Sequence, residues 1–160
     1  MIEVRSLGEQ DRGWSTAFLR ESWGGVVARR GELLDPTVLP GFVALVNGER
    51  AGLATYAVRG DECELVTIDS LREGIGVGRA LLDAVRDTAV EAGCRRLWLV
   101  TTNNNLRALE IYQRWGMELA AFRRDAVTEA RKATKPSIPE YAANGIPIKD
   151  ELELELLLDR

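Results

Sequence analysis

The sequence predicts one mixed α/β domain over residues 1–160, with a central mixed, mostly antiparallel sheet flanked by helices. Two features predict this fold class. In the first half, short apolar segments are separated by turn signals, of which Asn47-Gly48 is a strong hairpin turn. Residues 63–122 then alternate strand and helix patterns, as α/β units do. A chain of 160 residues with 46% apolar side chains can bury the core of one domain.

The first predicted elements are a strand over residues 2–7 and a helix. The helix is predicted to end at Gly24-Gly25, because glycine is typical just past a helix C-terminus. Residues 26–40 show no clear period, so we expect a loop with a short helix there. One face of the predicted helix carries, at helical spacing, Trp14, Ala17, Phe18 and Glu21.

Three strands follow this loop. GFVALV and RAGLATYAV flank the Asn47-Gly48 turn as a hairpin. A second turn at Gly60-Asp61 leads into a strand over residues 63–68. The first half is therefore predicted to consist of antiparallel strands around one helix.

The second half begins with a helix that is predicted to end at Gly93. A buried strand over residues 95–102 precedes a second helix, which Asn105 caps and Gly116 closes. A strand over residues 117–122 and a tail that starts helical come next, and ELELELLL predicts a last strand with its glutamates facing solvent. The apolar face of the first of these helices consists of Val77, Leu81, Val85, Ala89 and Ala92.

Several classes of chemistry are excluded by composition. The chain has no histidine, which removes histidine metal sites and Ser-His-Asp catalysis. Its two cysteines, Cys63 and Cys94, make neither a disulfide framework nor a metal cluster, so no metal site is expected. No cysteine lies in either of the motifs described below, and Cys94 is predicted to be a core residue.

Charge and hydropathy limit the partners. A formal net charge of −4 argues against nucleic acid. No apolar run is long enough to cross a bilayer, and the N-terminal residues lack the pattern of a signal peptide. We therefore expect a cytoplasmic protein, a monomer or homodimer, that binds neither nucleic acid nor membrane.

Three glycines stand between a predicted strand and a predicted helix, in LREGIGVGRALL. Gly74, Gly76 and Gly78 leave successive N–H groups bare at the positive end of the helix dipole, which is an anion site suited to a diphosphate. The G-x-G-x-G spacing differs from the dinucleotide fingerprint, and the next strand ends without an acidic residue. A phosphate loop would need Gly-Lys-Ser/Thr, which is absent. A tight turn for helix packing is the alternative.

Residues 43–122 resemble the GNAT superfamily of acyl-CoA-dependent N-acetyltransferases. The pyrophosphate loop of that family reads Arg/Gln-x-x-Gly-x-Gly/Ala; here Gly76 and Gly78 match, while Glu73 replaces the usual Arg or Gln, with Arg72 one place early. The second motif is NLRALEIYQRWGM, in which Met117 replaces the usual Phe. The positions that match the family there are Asn105, Ala108, Tyr112 and Gly116.

The resemblance implies acetyl-CoA as co-substrate and a direct attack of a primary amine in a ternary complex. It implies that the backbone of Ile68, Asp69 and Ser70 pairs with the pantetheine arm, and Asn105 is placed to hold an amide of that arm. The remaining positions expected to contact the cofactor form the loop and the helix start: Glu73, Gly74, Ile75, Gly76, Val77, Gly78 and Arg79.

The catalytic residues follow from the chemistry and the resemblance. An alkyl amine with a pKa near ~10.4 is unprotonated in only about one molecule in a few thousand at pH 7, so the site must remove a proton. Glu64 is the candidate base, with Glu62 behind it, and a solvated carboxylate is the alternative. The resemblance makes Tyr112 the acid or hydrogen-bond donor to the leaving thiolate, and the alternative is a core tyrosine in a packing stripe.

Acceptor recognition is expected from the first helix and the loop up to Pro40, with Trp23, Tyr56 and the tail around Tyr141, although the core is the favoured place for Trp14 and Trp23. The leading hypothesis is thus an N-acetyltransferase. A non-catalytic acyl-CoA-binding or interaction module on the same fold is the second, and a dinucleotide-dependent oxidoreductase is a poor third because of the glycine spacing.

Overall fold

The computed structural model describes residues 1–158. Its helices are α1 (Arg12–Trp23), α2 (Val77–Glu91), α3 (Leu106–Trp115) and α4 (Ala126–Ala133). Its strands are β1 (Ile2–Ser6), β2 (Val27–Arg29), β3 (Glu32–Leu34), β4 (Gly41–Val46), β5 (Glu49–Arg59), β6 (Glu62–Ser70), β7 (Arg96–Thr102), β8 (Glu118–Arg123) and β9 (Glu151–Leu157). Short 3₁₀ turns occupy Glu9–Asp11 and Pro36–Val38.

Seven of the strands form one mixed, mostly antiparallel sheet that helices flank, and β2 and β3 form a separate hairpin. This architecture confirms the predicted fold class. The chain groups into two compact units, the first comprising Met1–Gly25, Asp35–Leu97 and the end of the chain from residue 157, the second Val26–Leu34 and Trp98–Leu156. That both belong to one domain over residues 1–160 stays a prediction.

In the first unit, β1, β4, β5 and β6 follow one another as antiparallel neighbours. Asn47 and Gly48 have φ of 51° and 81°, as the predicted hairpin turn requires. α2 packs on this sheet at Gly52, where an added Cβ would lie 2.6 Å from a Val77 methyl carbon and 3.0 Å from a Leu81 methyl carbon. Four of the five residues predicted for the apolar face of α2 are buried. The buried residues of this helix are Val77, Leu81, Leu82, Val85 and Ala89.

The residues that helical spacing groups on one face of α1 are not the ones that the structure buries. The fully buried residues of this helix are Ser15 and Leu19, whereas Ala17 and Glu21 are exposed. The cause lies at Asp11, immediately before the helix, whose burial turns the positions four and eight residues later toward the core. The aromatic residues of the predicted face, Trp14 and Phe18, are half-buried and stack on each other.

Residues 26–34 form the β2–β3 hairpin instead of the predicted loop. Arg30 and Gly31 make its turn with φ of 54° and 78°. Arginine is an uncommon residue in the left-handed region, and the strands have only three residues each, so neither a turn signal nor a period was available in the sequence.

The glutamates of β9 are not solvated as predicted. Glu151 and Glu153 are 2% and 5% exposed. Arg123 of β8 forms ion pairs with both carboxylates, and the backbone N–H of Arg30 donates to Glu151 at 3.1 Å. The alternation predicted the strand correctly, but a glutamate face with an arginine partner is buried rather than wet.

Asp11 holds the first unit together at its N-terminal end. Its fully buried carboxylate accepts hydrogen bonds from Arg5 at 2.6 Å, Arg50 at 3.1 Å and the backbone N–H of Gly8 at 2.9 Å. The hydrogen bond from Arg5 is the main cause that lowers the pKa of Asp11 to about 2. β1, α1 and the β4–β5 hairpin are thereby joined through one carboxylate.

Asp11→Asn should lower the free energy of unfolding by roughly 2 kcal/mol at pH 7, because the ionised form is favoured in the folded state. A carboxyl pKa below its unfolded value contributes stability that is full above about pH 4 and is lost as pH falls toward 2. Urea unfolding of the wild type and the variant at pH 7 and pH 3 measures this. Glu9→Gln, an exposed acid in the same turn, is the control and should change little; an equal gap at both pH values would contradict the assignment.

Candidate active site

The glycine loop, residues 71–76, connects β6 to α2 and is exposed throughout. Gly74 and Gly76 have φ of 81° and 95°, which non-glycine residues rarely adopt. Gly78 is different, because its φ is not in the left-handed region and a Cβ there would meet no atom within 4 Å. The backbone conformation therefore explains Gly74 and Gly76, whereas neither conformation nor packing explains Gly78.

The first turn of α2 presents backbone donors. The N–H of Ala80 donates to the carbonyl of Gly76 at 3.0 Å as the first bond of the helix, so the N–H groups of Val77, Gly78 and Arg79 precede it. Gly76 is the N-cap without a side-chain cap, and no acidic residue lies in the first turn. These donors, together with the helix dipole, favour an anion at this end of α2.

Two arginines flank the loop. Arg72, the basic residue that stands one place early in the motif, forms an exposed ion pair with Glu49 at 3.0 Å. Arg79 is exposed, and within residues 1–158 it makes no hydrogen bond or ion pair. A cation near a helix N-terminus opposes the helix dipole, so Arg79 costs stability there unless an anion accompanies it.

A β-bulge in β6 decides which side chains share a face. Tyr56 of β5 pairs with Leu65 and the adjacent Thr55 pairs with Thr67, which leaves Val66 as the extra residue. Residues opposite each other in a ladder lie on one face. Plain alternation along the strand predicts Glu64 on the same side as Val66 and Ile68, and this prediction is wrong. β5 is regular here, so the face of Leu53, Thr55 and Ala57 carries their partners Asp69, Thr67 and Glu64.

The other face of β6 packs on α2. Ile68 and Ser70 pair with Ala54 and Gly52, on the face that Val77 of α2 covers. Tyr56 lies on this face too, because it follows Gly52 and Ala54 in the alternation of β5. Burial raises the pKa of Tyr56. Tyr56, expected to recognise the acceptor, is thus on the opposite face from Glu64 and Asp69.

Glu64 is 4% exposed, so the alternative of a solvated carboxylate is wrong. Between it and Asp69 lie the hydroxyls of Thr55 and Thr67, which are fully buried and hydrogen-bonded to each other at 2.6 Å. The face therefore carries three carboxylates, because Glu62 opposite Arg59 lies on it too, and the pair of hydroxyls separates Glu64 from Asp69.

Asp69 is joined to Trp23, the last residue of α1. The indole N–H of Trp23 donates to one carboxylate oxygen of Asp69 at 2.8 Å, and Asp69 is half-buried. Burial raises the pKa of Asp69, and the bond from Trp23 opposes this. The sequence predicted Asp69 only as a backbone contact, since nothing in it signals a bond between side chains 46 residues apart.

Asn105 and Tyr112 belong to α3 in the second unit, a helix without a fully buried residue. Asn105 is the N-cap residue, but its side chain makes no capping bond and instead donates to the Thr101 hydroxyl at 3.3 Å. Tyr112 is half-buried, as is Trp115 one turn later. Gly116 ends the helix as predicted.

Asn103 is a structural residue that the sequence did not single out. Its side-chain oxygen accepts from the N–H groups of Lys149 and Asp150 at 3.0 and 2.9 Å, and its amide donates to the Pro147 carbonyl at 2.8 Å. It thus fixes the turn before α3 to residues 147–150. Tyr141, named above for the acceptor, is 65% exposed and bridges to Pro147.

Neither the cysteines nor a metal centre adds a further candidate site within residues 1–158. Cys63 and Cys94 are buried, and burial raises the pKa of Cys63 to about 12, so neither thiol is a ready nucleophile. Within residues 1–158, no group of histidine, cysteine, aspartate and glutamate side chains is arranged to hold a metal ion. None of the helices in this part of the chain has the length and apolar character needed to span a membrane.

Known proteins include relatives of this chain. The YdhI protein of Bacillus subtilis (strain 168), itself uncharacterised, is 40% identical over 146 residues, which cover 90% of this chain and 91% of that protein. The [ribosomal protein bS18]-alanine N-acetyltransferase of Escherichia coli (strain K12) is 33% identical over 86 residues, 52% of this chain and 58% of that enzyme.

A Bacillus subtilis acetyltransferase solved in complex with CoA has the same fold, with a TM-score of 0.69 at 19% identity over 98% of this chain and 97% of that one. A model of the Acetyltransferase (GNAT) family matches residues 8–117, more than half of the chain. The chain therefore belongs to the GNAT family of N-acetyltransferases and is an acyltransferase.

Proposed function

We propose that this enzyme transfers the acetyl group of acetyl-CoA to a primary amine of a small molecule or peptide, by direct attack in a ternary complex. The observation that carries the proposal is the start of α2, where backbone donors, two left-handed glycines and the unpaired Arg79 surround an exposed loop. A diphosphate satisfies these donors and accompanies that cation. Gly78, which packing leaves unexplained, is bare so that the ligand can approach.

The other contacts to acetyl-CoA follow the family motif. The backbone of Ile68, Asp69 and Ser70 pairs with the pantetheine arm, and Asn105 holds an amide of that arm. The donor loop consists of Glu73, Gly74, Ile75, Gly76, Val77, Gly78 and Arg79. The site needs no metal, because a thioester is already activated toward amines. The expected cytoplasmic location and a monomeric or homodimeric state complete the proposal.

In the proposed reaction the acceptor loses a proton to Glu64, directly or through water. Its nitrogen then bonds to the thioester carbon, the carbon–sulfur bond breaks, and the leaving thiolate takes a hydrogen bond or a proton from Tyr112. The nitrogen loses its second proton as the amide forms; this proton ends on the thiol or restores Tyr112, and the first passes from Glu64 to solvent. The products are the amide, free CoA and one proton released to solvent. Because both cysteine thiols are buried, the acetyl group has no cysteine carrier and passes straight to the amine.

A non-catalytic acyl-CoA-binding module is the second candidate, and Glu73 is the observation that favours it. An acidic side chain replaces the basic or amide residue of the family motif, on an exposed loop beside the anion site. Binding of acetyl-CoA without release of free thiol, across a panel of amines, would establish this module in place of the enzyme.

Gly78→Ala should weaken binding of CoA at least tenfold while the fold keeps or gains stability. A Cβ there meets no protein atom, and alanine favours a helix over glycine by about 1 kcal/mol. Isothermal titration calorimetry and thermal unfolding measure the two effects. Gly13→Ala in α1 is the matched control, because a Cβ at that helical glycine also meets nothing. Unchanged affinity in Gly78→Ala would show that the anion site lies elsewhere.

Tyr112→Phe should lower kcat by about tenfold or more and leave the KM for acetyl-CoA within about twofold, because the hydroxyl acts on the departing thiolate rather than on the bound substrate. Thiol release followed with a chromogenic disulfide measures it. Ile111→Val, which trims an exposed side chain of the same helix, is the control. A kinetically silent Tyr112→Phe would make Tyr112 a packing residue.

Glu64→Gln should lower kcat by about 100-fold, the usual contribution of a general base, with folding and CoA binding retained. The amide fills the same volume and keeps an acceptor oxygen. The same thiol-release assay serves, with Glu62→Gln as the neighbouring control because Glu62 pairs with Arg95 and Arg96. A larger loss in Glu62→Gln than in Glu64→Gln would exchange the two roles.

A further inference from the structure

We propose that the carboxylate of Asp69 binds a cationic group of the amine acceptor, with Trp23 holding it in position. The proposal rests on the proposed function and names the chemistry that selects the acceptor: a positively charged amine rather than a neutral one. Asp69 enters the sequence motif only through its backbone, so this side-chain role is additional to the pantetheine contact.

The first support is geometric. The Trp23 indole engages only one oxygen of the Asp69 carboxylate, at 2.8 Å. Among residues 1–158, no other side chain makes a hydrogen bond or an ion pair with Asp69. A carboxylate has about four acceptor positions, so the second oxygen is left for an outside donor.

The second support is a comparison with other acids that the fold withdraws from solvent. Asp11 pairs with Arg5 and Arg50, Glu153 with Arg123, and Asp150 with Lys149. Asp69 is withdrawn from water without any such cation. An ionised carboxylate in that setting is stabilised by a cation that arrives with a ligand.

Within residues 1–158, no charged side chain is among the groups that shift the pKa of Asp69. β5 places Leu53 opposite Asp69, and α1 contributes the uncharged Trp23. The next acid of β6 on the same face is Glu64. Asp69 lies opposite Leu53 and Glu64 lies opposite Ala57, so the two acids are four residues of β5 apart, about 13 Å along the strand. Burial and the Trp23 bond, rather than a neighbouring charge, set the pKa of Asp69.

This separation divides the work between the two carboxylates. Asp69 lies one residue from the end of β6, next to the glycine loop, whereas Glu64 lies near the start of that strand. At about 13 Å the two carboxylates contact different parts of an acceptor. Asp69 therefore governs binding of the acceptor, and Glu64 governs the proton step.

Asp69→Asn tests the proposal, because asparagine keeps the size and an oxygen that accepts the Trp23 bond but loses the charge. The variant should raise the KM for spermidine, cadaverine or a peptide with N-terminal alanine at least tenfold. The KM for acetyl-CoA and kcat should change less than threefold. Asp87→Asn, which alters an exposed acid of α2, is the control and should change none of these. An unchanged KM for every amine that the wild type acetylates would overturn the proposal.

Thermal unfolding separates binding from a structural role. A carboxyl pKa raised by folding means that the ionised group opposes folding at neutral pH, so Asp69→Asn should have an equal or higher Tm. A lower Tm with unchanged amine kinetics would show that Asp69 only ties α1 to β6, and would overturn the proposal.

The indole resonance of Trp23 gives a readout that does not need turnover. Trp23→Phe assigns this signal in a ¹⁵N spectrum, and spermidine is then titrated into the CoA complex. The signal should shift in the wild type and not in Asp69→Asn; no shift in the wild type would overturn the proposal. If spermidine shifts the signal but no amine is acetylated, the proposed enzymatic function fails while the cation site stands.

Discussion

The close approach of α2 to the β5–β6 ladder is the constraint on which the first unit depends. Gly52 leaves no room for a side chain between the sheet and the methyl carbons of Val77 and Leu81. That contact fixes the first turn of α2 at the end of β6, next to the exposed glycine loop. It also commits one face of β6 to packing, which leaves the other face for polar side chains.

The bulge at Val66 then places the acids on the polar face. In a regular strand Glu64 and Asp69, five residues apart, would point to opposite sides of the sheet. The extra residue changes this parity, so both acids lie away from α2. Bulges commonly serve to redirect a side chain near a functional site. The chemistry that we propose for this face therefore depends on the bulge, because without it Glu64 and Asp69 would lie on opposite faces.

The sequence predicted the elements whose signals are local. Gly93 and Gly116 ended helices as expected, Asn47-Gly48 made its hairpin, and the spacing of Val77, Leu81 and Val85 identified the buried face of α2. The fold class followed from their order, and the family motif located the loop. The alternation of glutamate and leucine likewise predicted the strand β9, but it could not show that the glutamate face would be buried against an arginine.

Features that depend on contacts between distant residues escaped prediction. The rotation of α1 is set by the buried Asp11 and its arginines, and the acidic face of β6 is set by a bulge that only the register with β5 reveals. The bond between Trp23 and Asp69 spans the chain from the end of a helix to the end of a strand. No period or turn signal encodes any of the three.

Three places where local rules of stability fail are also places where the proposed ligands bind. Gly78 weakens a helix in which alanine would fit, Arg79 opposes the dipole of that helix, and Asp69 is withdrawn from water without a cation. Each lowers the stability of the free protein, and each becomes favourable beside a ligand: a diphosphate for the first two, an ammonium group for the third. A fold that needed only stability would have replaced all three, so their presence together argues that selection kept them for binding.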